Sequence, residues 1–414
     1  MEWQKKPLGT VADLCLGKML DQNKNRGEPL PYLANVNVRW GEFELNNLRT
    51  MRFELKEKDR YGLKFGDIVM CEGGEPGRCA IWKDQIHGMM IQKALHRIRP
   101  KDYLDYRFLF YSLLNIGKSK GFDQYFTGAT IKHLPGEKLA MVQVNIPPLP
   151  IQRRIASILS AYDDLIENNT RRIAILEEMA RRIYEEWFVK FKFPGHEMVK
   201  MVDSELGKIP EGWKVKAVPD AIDISPTTKL QKDGQKPFVP MNCLSDKSMV
   251  ITRYEMREGN SGSKFKNGDT LFARITPCLE NGKTGFVQFL PNDNAIAFGS
   301  TEFIVLRSRT LSSEIVYLLS RTNSFRDNAI KSMSGATGRQ RVRESCFSSY
   351  LFAHPNKEII NRFTELVSPM FRGVFLLQRK NFNLRTTRDF LLPKLISGEI
   401  DVSKFPEPQE DAAA

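Results

Sequence analysis

No run of 18 uninterrupted apolar residues occurs in the 414-residue sequence, and no charged-then-apolar leader is present. That excludes a membrane-spanning helix and predicts a soluble, cytoplasmic protein with no membrane partner. The six cysteines, Cys15, Cys71, Cys79, Cys243, Cys278 and Cys346, form no C-x-x-C pair, and only five histidines accompany them. Zinc-ligand spacing and a disulfide framework are therefore absent. Gly117-Lys118-Ser119 and Gly282-Lys283-Thr284 resemble the end of a phosphate loop, but Ser112 and Pro277 stand where its first glycine is required. There is no strand followed by G-x-G-x-x-G and no G-x-S-x-G elbow. The paired carboxylates Asp163-Asp164 and Glu177-Glu178 read as a solvated helix face. No catalytic residue, metal site or cofactor is assigned, and the chain is expected not to be an enzyme.

What is present is positive charge and repetition. The net charge is +13 and the isoelectric point about 9.3, which suits a polyanion, nucleic acid first. Ile155, Leu159, Leu176, Ile183, Trp187 and Phe188 recur, 208 positions on, as Phe363, Val367, Leu384, Leu391, Leu395 and Ile396. Trp3, Leu8, Val11 and Leu14 recur at an offset of 210 as Trp213, Val218, Ala221 and Ile224.

Two stretches carry heptads. Ile155, Tyr162, Asn169, Leu176 and Ile183 occupy d positions, with Leu159, Ile166, Ile173, Ala180 and Trp187 at a. The second seam has Phe363, Met370, Leu377, Leu384 and Leu391 at d, and Val367, Val374, Asn381, Arg388 and Leu395 at a. Antiparallel pairing with partner numbers summing to 550 sets Asn169 against Asn381 as a buried polar register pair, Ile173 against Leu377 and Trp187 against Phe363. Pro369 and Pro393 are expected to kink the second helix. A helix from Ile155 to Phe193 would be ~58 Å long, more than the about 34–36 Å of one DNA turn.

The expected fold is α+β: two globular α/β domains separated by a pair of long antiparallel coiled-coil helices, with a pseudo-twofold internal repeat. The boundaries are 1–150 for the first globular domain, 151–195 for the central helix, 196–356 for the second domain, 357–405 for the C-terminal helix and 406–414 for a disordered tail.

Candidate binding residues lie in small polar loops that basic residues follow. Thr127-Gly128-Ala129-Thr130 precedes Lys132 and His133, and Ser334-Gly335-Ala336-Thr337 precedes Arg339, Arg341 and Arg343. Backbone N–H groups, threonine hydroxyls and cationic side chains suit phosphates. Arg39, Trp40, Arg78 and Trp82, with Asn242, Arg274, Thr276, Asn281 and Lys283, are further candidates for base or backbone contact.

Pro147-Pro148-Leu149-Pro150-Ile151-Gln152-Arg153-Arg154-Ile155, the segment Asp203-Ser204-Glu205-Leu206-Gly207-Lys208-Ile209-Pro210-Glu211-Gly212-Trp213, and Leu392-Pro393-Lys394-Leu395-Ile396-Ser397-Gly398-Glu399-Ile400 closely resemble the specificity (S) subunit of type I restriction-modification systems. Ile151, where that family often carries Glu, and the opening His354-Pro355-Asn356-Lys357-Glu358 depart from the pattern. The resemblance implies a non-catalytic subunit whose two domains each read half of a bipartite, asymmetric sequence in double-stranded DNA. The helices would set the gap and dock two methyltransferase (M) subunits, which use S-adenosylmethionine, and endonuclease (R) subunits can then join. Arg153, Arg154, Glu177, Arg181, Arg372 and Arg385 are solvent-side docking candidates. The competing reading is a coiled-coil scaffold that binds nucleic acid or protein.

Overall fold

A computed structural model describes residues 3–21, 25–336 and 338–406. The chain falls into two compact units. One comprises Met1–Ile166 and Asn383–Ala414, the other Glu167–Phe382, so each long helix contributes a segment to both.

The first unit holds β1 (Gln4–Pro7), β2 (Ala12–Leu16), β3 (Glu28–Leu33), β4 (Arg49–Phe53), β5 (Ile68–Cys71), β6 (Cys79–Ile81), β7 (Met90–Ile91), β8 (Leu95–Pro100) and β9 (Gln143–Ile146). They form sheets β1-β9, β2-β8-β5-β6 and β4-β3-β7. Every residue of β5 is buried. Successive side chains of a strand point to opposite faces, so Ile68 and Met70 enter one core with Phe108 and Leu159. Val69 and Cys71 enter another with Leu33 and Trp82. A strand covered on both faces reads as a continuous apolar run, as Ile68-Val69-Met70 does. The helix Tyr106–Lys118 begins at Asp105, whose carboxylate accepts the backbone N–H of Arg107 and Phe108.

In the second unit, the hairpin β10 (Met201–Ser204) and β11 (Gly207–Pro210) comes first. It is followed by β12 (Lys214–Ala217), β13 (Ile222–Ile224), β14 (Lys236–Val239), β15 (Glu255–Arg257), β16 (Ser263–Lys266), β17 (Thr270–Ala273), β18 (Thr284–Phe286), β19 (Ile296–Gly299), β20 (Phe303–Ser308) and β21 (Leu351–His354). The sheets are β12-β21, β13-β20-β17-β18 and β15-β14-β19-β16. They repeat the first unit's order strand for strand, with β16 added. Even the exceptional parallel pair recurs, β3 with β7 and β14 with β19. The weak sequence match between the units thus conceals one topology used twice.

The first long helix runs Leu149–Tyr184 and ends in a π turn at Glu185–Val189. Its start is anchored by buried Gln152, which donates to the Pro147 carbonyl at 2.8 Å and accepts from Asp105 N at 2.9 Å. The second runs Lys357–Ser397 and passes through Pro369 and Pro393 as a single helical element. Neither proline interrupts it. Buried Phe371 and Val374 beside the first, and Leu392 and Leu395 beside the second, hold the segments in place.

Within the second unit the two helix segments are antiparallel. Asn169 donates to Asn381 at 2.8 Å with both side chains buried, and the Trp187 and Phe363 rings meet edge-on at 5.6 Å. Within the first unit the seam is closed by polar contacts. Tyr111 donates to Asp163 at 2.6 Å, Asp163 also pairs with Arg388, and Arg388 holds Asp389 at 2.8 Å.

These contacts correct the reading of the paired carboxylates. Asp163 is bound in that network, and Glu177 is turned inward, accepting from Ser248 Oγ at 2.8 Å and Met249 N at 2.6 Å. Burial pushes the Glu177 carboxyl above its ordinary pKa. It therefore does not belong among the solvent-side docking candidates. Glu178 does stay at the surface, paired with Arg181 and Arg182.

Replacing Asn381 with Ala leaves the Asn169 amide buried without its acceptor. The expected cost is about 1–3 kcal/mol, read as a lower urea midpoint. The Asn169→Leu, Asn381→Leu double variant should recover stability while weakening register. An unchanged midpoint in Asn381→Ala would contradict this role.

Candidate nucleic-acid interface

Both Gly-Ala-Thr loops are mounted on the same frame. In the first unit Gly66 turns the chain into β5 at φ +85°, and Asp67, 1% exposed, takes Arg99 through two hydrogen bonds of 2.7 Å. The same carboxylate accepts the N–H of Lys64 at 2.7 Å. In the second unit Gly268 also has φ +85°, and Asp269, again 1% exposed, takes Arg307 at 2.8 and 2.7 Å and Lys266 N at 2.8 Å. A two-bonded arginine–carboxylate pair is geometrically specific, so it ties the turn before β5 or β17 rigidly to β8 or β20. Each hydrogen bond raises the pKa of its arginine.

The loops close where these strands end. Thr127 and His133 exchange backbone hydrogen bonds of 2.8 and 2.9 Å, and His133 also bridges Gly73, just beyond β5. Ser334 and Arg341 exchange bonds of 3.0 and 2.9 Å, and Arg341 bridges Ile275, just beyond β17. Each loop is thus a short bulb pinned at its base to the central sheet. The first requires its glycine. Gly128 lies at φ +90°, and a Cβ there would sit 2.2 Å from the Ile131 carbonyl oxygen.

The candidate residues divide between the tips and the frame. Gly128, Thr130, Gly335 and Arg339 are exposed on the loops. Lys132 is exposed and lies over the Phe126 ring at 5.5 Å. Arg341 is half exposed and Arg343 is held by Ser334 Oγ at 2.9 Å. Thr337 lies outside the described residues, as do positions 407–414 of the expected tail.

Most of the other candidates are tied into the scaffold. Thr127 is exposed, and its backbone forms the bridge to His133. Thr276 is buried, its hydroxyl accepting Gln340 N at 3.1 Å. Arg78, only 14% exposed, pairs with Glu75 and donates to the Asn35 carbonyl at 2.9 Å. Trp82 is core, edge-on to Phe43 at 5.4 Å. Arg39 straps its own loop, donating to the Val36 carbonyl at 2.8 Å and pairing with Glu44 at 2.7 Å. Arg274 pairs with Glu344 at 3.3 Å and donates to the Val342 carbonyl at 3.2 Å. Lys283 is half-buried, 3.5 Å from the Met241 carbonyl. Asn242 and Asn281 are exposed.

The carboxylates set among these arginines were not singled out from the sequence. Glu302 holds Arg341 by bonds of 2.7–3.1 Å, and Glu344 holds Arg274. The Glu302 carboxyl lies below its ordinary pKa because Arg341 donates to it. Among the described residues no group of three or more His, Cys, Asp or Glu could hold a metal ion, and no helix is long and apolar enough to cross a membrane.

Residues 1–178 match the family model described as the type I restriction modification DNA specificity domain. The chain is similar to the type I restriction enzyme MjaIX specificity subunit of Methanocaldococcus jannaschii, 27% identical over 82% of this chain and 79% of that one. It is also similar to the HindI specificity subunit of Haemophilus influenzae, 22% identical over 96% of this chain and 100% of that one. The crystal structure of a type I restriction-modification system S subunit from M. genitalium has the same fold, with a TM-score of 0.57 at 14% identity, covering 95% of this chain and 96% of the other.

Asp269→Ala should leave the mostly buried Arg307 guanidinium unpaired. Breaking such a pair costs about 3–5 kcal/mol, so the denaturant midpoint should drop clearly. A shift within the scatter of surface substitutions would show that the pair does not hold the frame.

Proposed function

We propose that the chain is a type I restriction-modification specificity subunit and that each of its units reads one half of a bipartite, asymmetric DNA target. The observation that carries this is the repeated frame: the same sheet order, the same aspartate–arginine pair and the same bridged loop occur twice, with different residues after the shared Gly-Ala-Thr. A palindromic target would call for two similar readers. Here five residues lie between the bridge partners Thr127 and His133, and six between Ser334 and Arg341.

In this reading Gly128, Thr130 and Lys132 approach DNA from the first unit, and Gly335, Arg339 and Arg341 from the second. Lysine and arginine supply the salt-sensitive attraction to phosphates, while groove contacts supply sequence choice. The net charge of +13 favours the encounter. Arg78, Thr127 and Thr276 hold the loops in shape. The two long helices set the interval between half-sites and present a docking surface to two methyltransferase subunits, with Arg153, Arg154, Arg181, Arg372 and Arg385 as candidates. Those partners carry the S-adenosylmethionine chemistry, and endonuclease subunits add cleavage. The chain itself contributes recognition and no catalysis, in the cytoplasm with the chromosome.

Adenine methylation mapping of host DNA, with and without this chain beside its methyltransferase partner, tests the proposal. A gapped, asymmetric motif that appears only with the chain is expected. A palindromic motif, or a methylation pattern indifferent to the chain, would overturn it.

A further inference from the structure

The repeated frame permits a position-by-position comparison of the two readers. β5 and β17 occupy the same place in their sheets, as do β8 and β20. Beyond β5, Glu72 N donates to the Ala94 carbonyl at 2.8 Å; beyond β17, Arg274 N donates to the Glu302 carbonyl at 3.0 Å. Leu134 N returns to the Glu72 carbonyl at 2.8 Å, and Val342 N to the Arg274 carbonyl at 2.9 Å. The backbone bonds therefore make Ala94 equivalent to Glu302, and His133 equivalent to Arg341. The backbone hydrogen bonds match at both places, although Ala94 lies at φ +91° and Glu302 does not lie in the left-handed region. The side chains differ: alanine with histidine in one unit, glutamate with arginine in the other.

The second pair has the geometry of a supported reader. Glu302 takes the Nε hydrogen of Arg341 and one hydrogen of Nη2, at 2.9 and 2.7 Å. The guanidinium carries five N–H donors in a planar fork, so this leaves the Nη1 and outer Nη2 hydrogens directed away from the carboxylate. Two parallel donors match the O6 and N7 acceptors that guanine shows in the major groove. The side chain is 50% exposed at the base of the loop, so that edge is accessible.

We infer that Glu302 is a positioning residue that presents Arg341 to a guanine in the second unit's half-site, at a frame position where the first unit carries Ala94 and His133. The inference rests on the DNA-reading role proposed above and assigns one specificity-determining position within it. The backbone bridges at Ser334 and Ile275 fix where the Arg341 Cα sits, and Glu302 fixes how the fork is turned. Lysine, a point charge with no fork, does not substitute.

The test is methylation mapping with the complete complex of this chain and its methyltransferase partner, comparing the natural chain with Arg341→Ala, Arg341→Lys and Glu302→Gln. If the natural chain yields no gapped motif, the DNA-reading role itself fails. Given such a motif, Arg341→Ala and Arg341→Lys should both make one G·C position of a single half-site degenerate, lowering discrimination there on the order of 10- to 100-fold. The other half-site should be unaltered. Glu302→Gln should relax the same position to a smaller degree, a result that a purely structural ion pair would not give. Unchanged motifs in all three variants, retention of the guanine in Arg341→Lys, or an equal loss of methylation at every sequence with Glu302→Gln would overturn the assignment.

Discussion

The buried hydrogen bond between Asn169 and Asn381 is the constraint from which the rest of the molecule takes its order. Apolar heptads attract helices without choosing a stagger, because leucine against leucine in one register differs little from the next. A buried amide pair does choose, since any slip leaves polar groups unsatisfied in an apolar seam. Either side of it the seam is finished differently. Aromatic rings of Trp187 and Phe363 close it in the second unit, and the Tyr111–Asp163–Arg388 network closes it in the first. The polar network can form in only one arrangement, so it adds specificity to the register that the asparagines set.

On that base the chain repeats one construction. Each unit pairs the strand that opens its repeat with the strand that leads into a long helix, β1 with β9 and β12 with β21. Each unit also ties the turn before its central strand to the next strand of the sheet by an aspartate–arginine pair and pins a small loop to the strand end. The buried parts are the parts that match. The loops after their shared Gly-Ala-Thr and the Ala94/His133 and Glu302/Arg341 positions are where the two units differ.

The repeat, both long helices and the Asn169–Asn381 register were legible because heptad spacing reports directly on what faces a helix's nearest partner. The loops were legible because Gly-Ala-Thr occurs twice. What was missed depends on a third element. Glu177 lies outside the heptad seam and looks solvated until the segment Ser248-Met249 covers it. Asp163 awaits Tyr111 from another helix. Arg78 and Thr276 have the residue types of DNA readers, but non-local backbone groups claim them. Glu302 is 39 positions from Arg341, and only the closing of the loop brings the two together. Pro369 and Pro393, expected to kink the second helix, lie within one continuous helical element.

The most direct test of the account lengthens the helices and leaves the readers untouched. One heptad is inserted into each long helix, between Ile166 and Ile173 in the first and between Leu377 and Leu384 in the second, so that the seam stays in phase. Seven residues add about 10 Å of helix, close to 3 base pairs at about 3.4 Å each. The account predicts that methylation mapping returns the same two half-sites with the gap lengthened by about that amount. An active complex with an unchanged gap, or with altered half-site letters, would contradict it.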